Sequence, residues 1–219
     1  MTTICVIARA PLEGRCKPKI SDFLGPEFTA KLCAAMLRDT LDGLNAIEVD
    51  RHVTTYLVEE GADAMLARHV HPPWTLSPQP EGDLGAAIVH AEETFGKDGP
   101  LLLARSDSPT AATEDAERAL ARLSKDEVDV VLAPTADGGF HFIATRSFTP
   151  ALFEGIPWGT PEVNARIRAV CSDLSLRLEE LPEHYDVDSP QDLERLTAEL
   201  KAHPDRAPRT AEFLLRNGW

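Results

Sequence analysis

The feature that most constrains the fold is a short apolar strand pattern that leads directly into a basic loop. Residues 4–8 read Ile-Cys-Val-Ile-Ala, a run typical of a strand buried at the centre of a sheet. The loop after it contains Pro11 and Gly14 and carries four cations: Arg9, Arg15, Lys17 and Lys19. Open α/β sheets bind ligands at the carboxyl ends of their strands, so these cations indicate a site for a di- or triphosphate. A solvated basic loop is the alternative, since many surface loops hold lysines.

The net charge of the chain restricts its partners. The 219 residues carry a formal net charge of −14, and 43% of them are apolar. Nucleic acids and anionic membranes are also negative, so we expect neither as a partner. A small anion remains compatible with this charge, because screening lets clustered cations outweigh distant carboxylates. The sequence shows neither a membrane-spanning apolar run nor a signal-peptide pattern, and we therefore expect a cytoplasmic protein.

The four cysteines predict reduced thiols. Cys5, Cys16, Cys33 and Cys171 form no C-x-x-C pair. Cys16 stands between two cations, which lower the pKa of a thiol. A catalytic thiol is the lesser alternative here, because no obvious base accompanies Cys16.

Strand and helix patterns alternate along the chain. Runs rich in β-branched, aromatic and leucine residues predict strands at 53–58, 101–104, 128–133, 140–144 and 176–181. Apolar residues at helical spacing predict helices at about 26–45, 61–70, 83–97, 111–124, 161–172 and 209–216, and a helix capped by Ser189 that begins at Pro190. This alternation predicts one doubly wound α/β domain over residues 1–219.

Acidic residues follow two of the predicted strands. Asp107 comes just after the strand at 101–104, and Asp186 and Asp188 follow the last strand. A carboxylate at a strand end is well placed for a metal ion in such sheets, although Asp107 could equally cap the next helix or form an Asx turn. Two carboxylates about 4 Å apart would repel by roughly 4 kcal/mol at an effective dielectric constant near 20. A magnesium ion would remove that penalty and bind a triphosphate.

The turn at residues 137–139 could either be structural or contact a ligand. The sequence Asp137-Gly138-Gly139 predicts a tight hairpin turn. Alternatively, its glycines let the backbone approach a ligand that Asp137 contacts. Further on, Thr160 is a natural N-cap with Pro161 at the first helical position.

Six motifs in order resemble a known bacterial family. They lie at residues 11–19, 82–85, 106–109, 137–140, 156–161 and 185–190. Together they are similar to the radical-SAM and selenodomain-associated transferase 1 family of the GT-A nucleotide-diphospho-sugar transferase superfamily. This superfamily also contains 2-phospholactate guanylyltransferase and the molybdenum-cofactor nucleotidylyltransferases. The resemblance implies a single GT-A, Rossmann-like domain, a three-layer sandwich with a mostly parallel central sheet.

The resemblance also implies roles for individual residues. Nucleotide phosphates would be held by Ala8, Arg9, Pro11, Gly14, Arg15, Lys17, Lys19 and Asp83. The second substrate would be bound by Asp137, Gly138, Gly139, Trp158 and Thr160. Mg²⁺, or alternatively Mn²⁺, would be bound by Asp107 and Asp188, and catalysis would depend on Lys17, Lys19 and Asp107. The partners would be a nucleoside triphosphate or nucleotide sugar and a small acceptor, in a monomer or a homodimer.

Four positions depart from the family pattern near the expected site. Pro18 stands in place of a threonine and removes a backbone N–H. Arg105 replaces a small residue, Thr110 replaces an acidic one, and Ala87 replaces an arginine.

Three functions therefore remain open. The first is a Mg²⁺-dependent nucleotidylyltransferase, favoured by the basic loop. The second is a glycosyltransferase that uses a nucleotide sugar. The third is a catalytically weakened nucleotide-binding or partner protein, favoured by the four departures.

Overall fold

The fold is built on a seven-stranded sheet covered by helices. The computed structural model describes residues 1–111 and 113–219. The strands are β1 (Thr3–Ala8), β2 (Arg51–Leu57), β3 (Thr75–Gln79), β4 (Leu101–Arg105), β5 (Val130–Pro134), β6 (Phe140–Thr145) and β7 (Leu178–Glu180). The helices are α1 (Pro18–Leu24), α2 (Pro26–Leu44), α3 (Ala62–Leu66), α4 (Leu84–Phe95), α5 (Thr113–Ser124), α6 (Val163–Asp173), α7 (Pro190–Ala202) and α8 (Pro208–Arg216).

Strand β1 lies in the interior of the sheet, as its apolar sequence predicts. The strand order is β3-β2-β1-β4-β6-β5-β7, and β1 pairs in parallel with β2 and β4. Only β6 runs against its neighbours, so the other six strands present their carboxyl ends at one edge. The predicted α/β class with a mostly parallel sheet is confirmed, and the strand ends converge where a ligand site is expected.

Apolar layers cover both faces of the sheet. Successive residues of a strand point to opposite faces, so Val6 of β1 joins one buried cluster and Cys5 joins the other. Helices α2 and α5 supply the first cluster, and helices α4 and α6 supply the second. Burying each large aliphatic side chain in these layers contributes about 1.5–3 kcal/mol. The two layers fix the sheet edge on which the candidate site is built.

A third apolar cluster anchors the C-terminal helices. Ile20 of α1 and Leu32 of α2 pack there with Leu193 of α7 and Leu214 of α8. Trp219 packs partly against the same cluster. This cluster holds α1, which follows the basic loop, against the body of the protein.

The sequence patterns do not predict helix α1 or strand β3, because these two elements bury little apolar surface. Helix α1 has seven residues, of which Ile20 is the buried one, and Pro18 starts it at the first helical position. Strand β3 lies at the edge of the sheet and contains Pro78, which edge strands tolerate.

The sequence places other boundaries incorrectly. Helix α3 ends at Leu66, well short of the predicted residue 70. Helix α6 begins at Val163, so Thr160 does not cap it; its hydroxyl donates instead to the carbonyl oxygen of Pro157 at 2.8 Å. Residue 112, within the helix predicted at 111–124, lies outside the described residues. By contrast, Ser189 does cap α7, in a capping box with Asp192.

Across residues 1–111 and 113–219, no helix combines the length and apolar character that a membrane crossing requires.

Candidate active site

Lys17 joins the basic loop to the acidic side of the site. Its backbone lies in the left-handed region, with φ at 43°, which is uncommon for a residue with a side chain. Its ammonium group contacts Asp107 Oδ2 at 2.8 Å and also pairs with Asp188. The side chain is 15% exposed. Lys17 therefore faces the carboxylates at the strand ends.

Three carboxylates meet at this edge of the sheet. Asp107 follows β4, whereas Asp186 and Asp188 lie in the segment between β7 and α7. One oxygen from each of the three lies within 4.8 Å of the others. The fold produces this convergence because β4 and β7 point the same way.

Arg105 supplies a second cation inside the cluster. It ends β4 and pairs with Asp107, and its Nη2 lies 3.4 Å from Asp186 Oδ2. The sequence identifies Arg105 as a departure from the family pattern but gives it no role. With Lys17, it places two positive charges among three carboxylates.

These charges shift the pKa values of the cluster. Burial alone would raise the pKa of Asp107, but Arg105 and Lys17 hold it well below its usual range. Burial also opposes the charge on Lys17, yet Asp107 and Asp188 more than offset this and raise its pKa. Burial, with Asp107 and Asp188 nearby, raises the pKa of Asp186 to about 7. The folded protein therefore favours the protonated form of Asp186 more than an isolated aspartate does.

The carboxylates have the chemistry of a divalent-cation site. Asp107 Oδ1 is buried and has no hydrogen-bond partner among the described residues. A buried carboxylate oxygen without a partner is costly, and a cation would satisfy it. Carboxylate oxygens are also the ligands that Mg²⁺ and Mn²⁺ prefer. The donor set therefore fits such an ion, which Asp107, Asp186 and Asp188 would hold.

A cavity of about 480 Å³ lies between the basic loop and the carboxylates. Seven of the residues predicted from the sequence line it: Ala8, Arg9, Lys17, Lys19, Asp83, Asp107 and Asp188. Three other predicted phosphate-binding residues lie outside its lining, and of these Gly14 and Arg15 are exposed while Pro11 is buried. The cavity therefore joins the basic loop to the carboxylate cluster.

A second cavity, of about 450 Å³, adjoins the first. Four predicted substrate-side residues line it: Asp137, Gly139, Trp158 and Thr160. Gly138 is not part of this lining. Its φ is 88°, and a Cβ there would overlap the carbonyl group of Pro161. The close approach made by Gly138 is therefore to the protein backbone.

Strands β5 and β6 form a hairpin around the turn at Asp137. The two strands pair in antiparallel fashion, and the Thr135 N–H donates to the Gly139 carbonyl oxygen at 2.8 Å. Asp137 Oδ1 accepts the Gly139 N–H at 2.9 Å. The hairpin interpretation is confirmed, and the same turn forms a wall of the second cavity.

The two cavities share one wall. Five residues line both: Lys19, Asp83, Leu84, Arg105 and Asp188. Among them, Asp83 also caps α4, since its Oδ1 accepts the Ala86 N–H at 3.0 Å. Lys19 and Arg105 place positive charge where contents of the two cavities would meet.

Comparisons with known proteins agree with this architecture. A family model described as uncharacterized protein conserved in bacteria, DUF2064, matches residues 33–160. No curated protein matches the sequence. A candidate nucleotide-diphospho-sugar transferase from Desulfovibrio desulfuricans G20 is similar in structure, with a TM-score of 0.90 and 26% identity over 99% of this chain and 94% of that one.

Two more distant structures share the fold. A CMP:2-keto-3-deoxy-manno-octonic acid synthetase in complex with CTP has a TM-score of 0.60 and 13% identity, over 92% of this chain and 98% of that one. A protein of Mycobacterium tuberculosis H37Rv in complex with manganese has a TM-score of 0.52 and 17% identity, over 89% of this chain and 96% of that one.

Proposed function

The chain belongs to the bacterial DUF2064 family, and from this premise we propose that it is a Mg²⁺-dependent nucleotidyltransferase. It joins a nucleoside triphosphate to a small phosphorylated acceptor and releases pyrophosphate. Residues 1–219 act as one GT-A-like domain of the radical-SAM and selenodomain-associated transferase 1 type. Mn²⁺ is the alternative ion.

The observation that carries this proposal is the meeting of opposite charges at one sheet edge. Three carboxylates suited to a divalent ion lie beside a cavity that Arg9, Lys17 and Lys19 also line. A metal–triphosphate complex needs both components, because the ion takes carboxylate ligands while the phosphates take cations. The CTP and manganese bound by two proteins of the same fold support this interpretation.

The reaction follows from the arrangement of the two cavities. The triphosphate occupies the first cavity and the acceptor the second, so that they meet at the shared wall. An acceptor oxygen attacks the α-phosphorus in line, the new P–O bond forms, and the bond to the β-phosphate oxygen breaks to release pyrophosphate. A bound divalent ion neutralises phosphate charge.

The chain's own residues orient the substrates and stabilise charge. Lys19 and Arg105 face both cavities and stabilise negative charge that develops on the transferred phosphorus and on pyrophosphate. Lys17 holds Asp107 and Asp188 in place through its ion pairs. Positioning and charge stabilisation of this kind supply most of the catalysis in phosphoryl-type transfers.

Calorimetry with ATP, CTP, GTP and UTP, each with and without Mg²⁺, tests this proposal. We expect one triphosphate to bind in a Mg²⁺-dependent way. Asp107→Asn should weaken its binding by at least roughly tenfold, because the charge of the ligand set determines cation affinity. Asp173→Asn is the matched control, since Asp173 is exposed at the end of α6. A pyrophosphate-release screen with phosphorylated acceptors follows, and failure of all four triphosphates to bind would overturn the proposal.

Glycosyl transfer is the second candidate, and the similarity to the Desulfovibrio protein favours it. In that case the chain would bind a nucleoside diphosphate sugar and transfer the sugar without releasing pyrophosphate. A catalytically weakened protein is the third candidate, favoured by the ion pairs that Arg105 makes with two carboxylates. It would bind nucleotides without turnover, and Arg105→Ala, which restores a small residue, would test whether this cation limits activity.

A further inference from the structure

A single carboxylate on helix α7 contacts both segments that carry the candidate metal ligands. It belongs to Glu199, whose side chain is 16% exposed. Glu199 Oε2 accepts a hydrogen bond from the Thr110 hydroxyl at 3.2 Å and another from the Tyr185 hydroxyl. Thr110 lies three positions after Asp107, and Tyr185 immediately precedes Asp186. Glu199 therefore joins the loop after β4 to the segment before α7.

Arg206 holds the Glu199 carboxylate from its other side. This arginine lies in the connection between α7 and α8 and forms an ion pair with Glu199 Oε1. Its Nη2 also donates to the Thr110 carbonyl oxygen at 2.8 Å. The two oxygens of Glu199 thus have different partners, since Oε1 faces a cation and Oε2 accepts from two hydroxyl groups. Contacts to a charged group are stronger than those between neutral groups, and these fix the position of the carboxylate.

The two hydroxyl groups that contact Glu199 belong to buried residues. Thr110 and Tyr185 are both almost inaccessible to solvent. The Arg195 guanidinium covers the Tyr185 ring, with its central carbon 3.8 Å from the ring centre. A buried hydroxyl group that loses its partner is costly, so both segments are held against Glu199.

We infer that Glu199 is a positioning residue that sets how the three carboxylates of the candidate metal site lie relative to one another. It acts through Thr110 on one segment and through Tyr185 on the other. A divalent ion needs its oxygen ligands at nearly fixed distances, so a shift of either segment lowers the affinity for the ion. The effect on metal binding rests on the proposed function, whereas the effect on the two segments does not.

Mn²⁺ binding by the full chain, measured by electron paramagnetic resonance, tests this role. Glu199→Ala removes the contacts to both hydroxyl groups and should weaken Mn²⁺ binding about tenfold, at the lower end of what loss of an outer partner costs. Glu199→Gln should retain most of the native affinity, because a carboxamide can bond to both hydroxyl groups whichever way it is turned. Both variants lose the ion pair with Arg206, so a role in stability alone would affect them alike.

Removing the hydroxyl groups instead of the carboxylate tests the path of the effect. Tyr185→Phe combined with Thr110→Val should weaken Mn²⁺ binding as much as Glu199→Ala does. Adding Glu199→Ala to this pair should cost little more, because the shared contacts are already lost. Glu194→Ala, at an exposed position of the same helix, is the matched control, and circular dichroism checks that each variant folds. Additive losses, or native affinity in Glu199→Ala, would overturn the inference.

Hydrogen exchange provides a readout that needs no metal. The Val187 N–H bonds across to the loop that carries Asp107. It should exchange about tenfold faster in Glu199→Ala, as expected when the contribution of roughly one hydrogen bond is lost locally. The Ile167 N–H, in the core under α6, should change less, because it reports on global unfolding.

The two readouts separate this inference from the proposed function. If the native chain binds no Mn²⁺ but Val187 exchange responds as expected, the metal site is wrong and the positioning role of Glu199 stands. Equal exchange of the Val187 N–H in the native chain and in Glu199→Ala would overturn the positioning role, whatever the metal affinity.

Discussion

The backbone N–H of Val187 donates to the carbonyl oxygen of Asp107 across 2.9 Å, and this bond joins the two loops that supply the carboxylates. Val187 is fully buried in the cluster formed by the C-terminal helices. Packing there keeps Asp186 and Asp188 against the end of β4. The acidic half of the site therefore depends on the C-terminal cluster as well as on the sheet.

Removing Arg105 should have opposite effects on two ligands. Arg105→Gln leaves the carboxylates with less positive charge nearby, so Mn²⁺ alone should bind roughly tenfold more tightly. The triphosphate should bind more weakly, because a cation that faces both cavities is lost. Electron paramagnetic resonance measures free Mn²⁺, and calorimetry measures the nucleotide. Arg118→Gln, at an exposed ion pair, is the control, and parallel changes for both ligands would contradict this account.

Gly138→Ala should destabilise the fold by about 2–3 kcal/mol. Position 138 has a φ of 88°, and the new Cβ would overlap the backbone of Pro161. Gly155→Ala is the matched control, because its φ is 64° but its nearest contact would lie 3.9 Å away. That variant should lose only about 1 kcal/mol from the left-handed backbone. Urea denaturation gives both values, and equal losses would show that the overlap at Gly138 carries no cost.

Asp129 should make the free energy of unfolding fall as the solution becomes more acidic. Arg177 and Arg146 hydrogen-bond its carboxylate and hold its pKa well below the ordinary value of 3.8. A carboxyl group whose pKa is lowered by folding stabilises the folded state at pH values above its unfolded-state pKa. That stabilisation is lost as the pH falls through the folded-state pKa. Asp129→Asn should cost about 1–2 kcal/mol at pH 7 and progressively less in acid. Denaturation at several pH values, with exposed Asp205→Asn as control, measures the difference, and a constant loss would contradict it.

Glu92 should have the opposite effect on the pH dependence of the free energy of unfolding. It is fully buried in α4, and burial raises its pKa above the ordinary value of 4.5 despite the hydrogen bond that Thr145 donates at 2.7 Å. The folded state therefore binds this proton more tightly, and the free energy of unfolding falls as the pH rises through that range. Glu92→Gln should raise stability at pH 7.5 by about 1 kcal/mol and flatten the pH profile. Glu93→Gln, on the exposed face, should change neither, and a loss of stability in Glu92→Gln would contradict the prediction.

The sheet is the part of the molecule that sequence patterns predict well. Buried strands have continuous apolar runs, so β1 and β4 stand out from their composition. Helix α1 and strand β3 do not stand out in this way. Helix α1 buries little apolar surface, and β3 is a half-exposed strand at the edge of the sheet. Thr160 shows the limit of capping patterns, since a hydroxyl before a proline can also bond within its own turn.

The candidate site was predictable in its residue types more than in its contacts. The sequence associates Lys17 with phosphates and Asp107 with a metal, but it contains no information that the two side chains touch. Arg105 and Asp186 gain their importance from a contact between residues 81 positions apart in sequence, which only the folded chain defines.

Different parts of the chain line the two cavities. Apart from Asp188, every residue that lines the first cavity lies between positions 7 and 107. Every residue that lines the second cavity alone lies between 137 and 163, a segment that begins in the turn before β6 and includes that strand. A recombination that exchanges residues 137–163 with those of a relative therefore replaces this wall together with β6, so the incoming strand must also pair with β4 and β5.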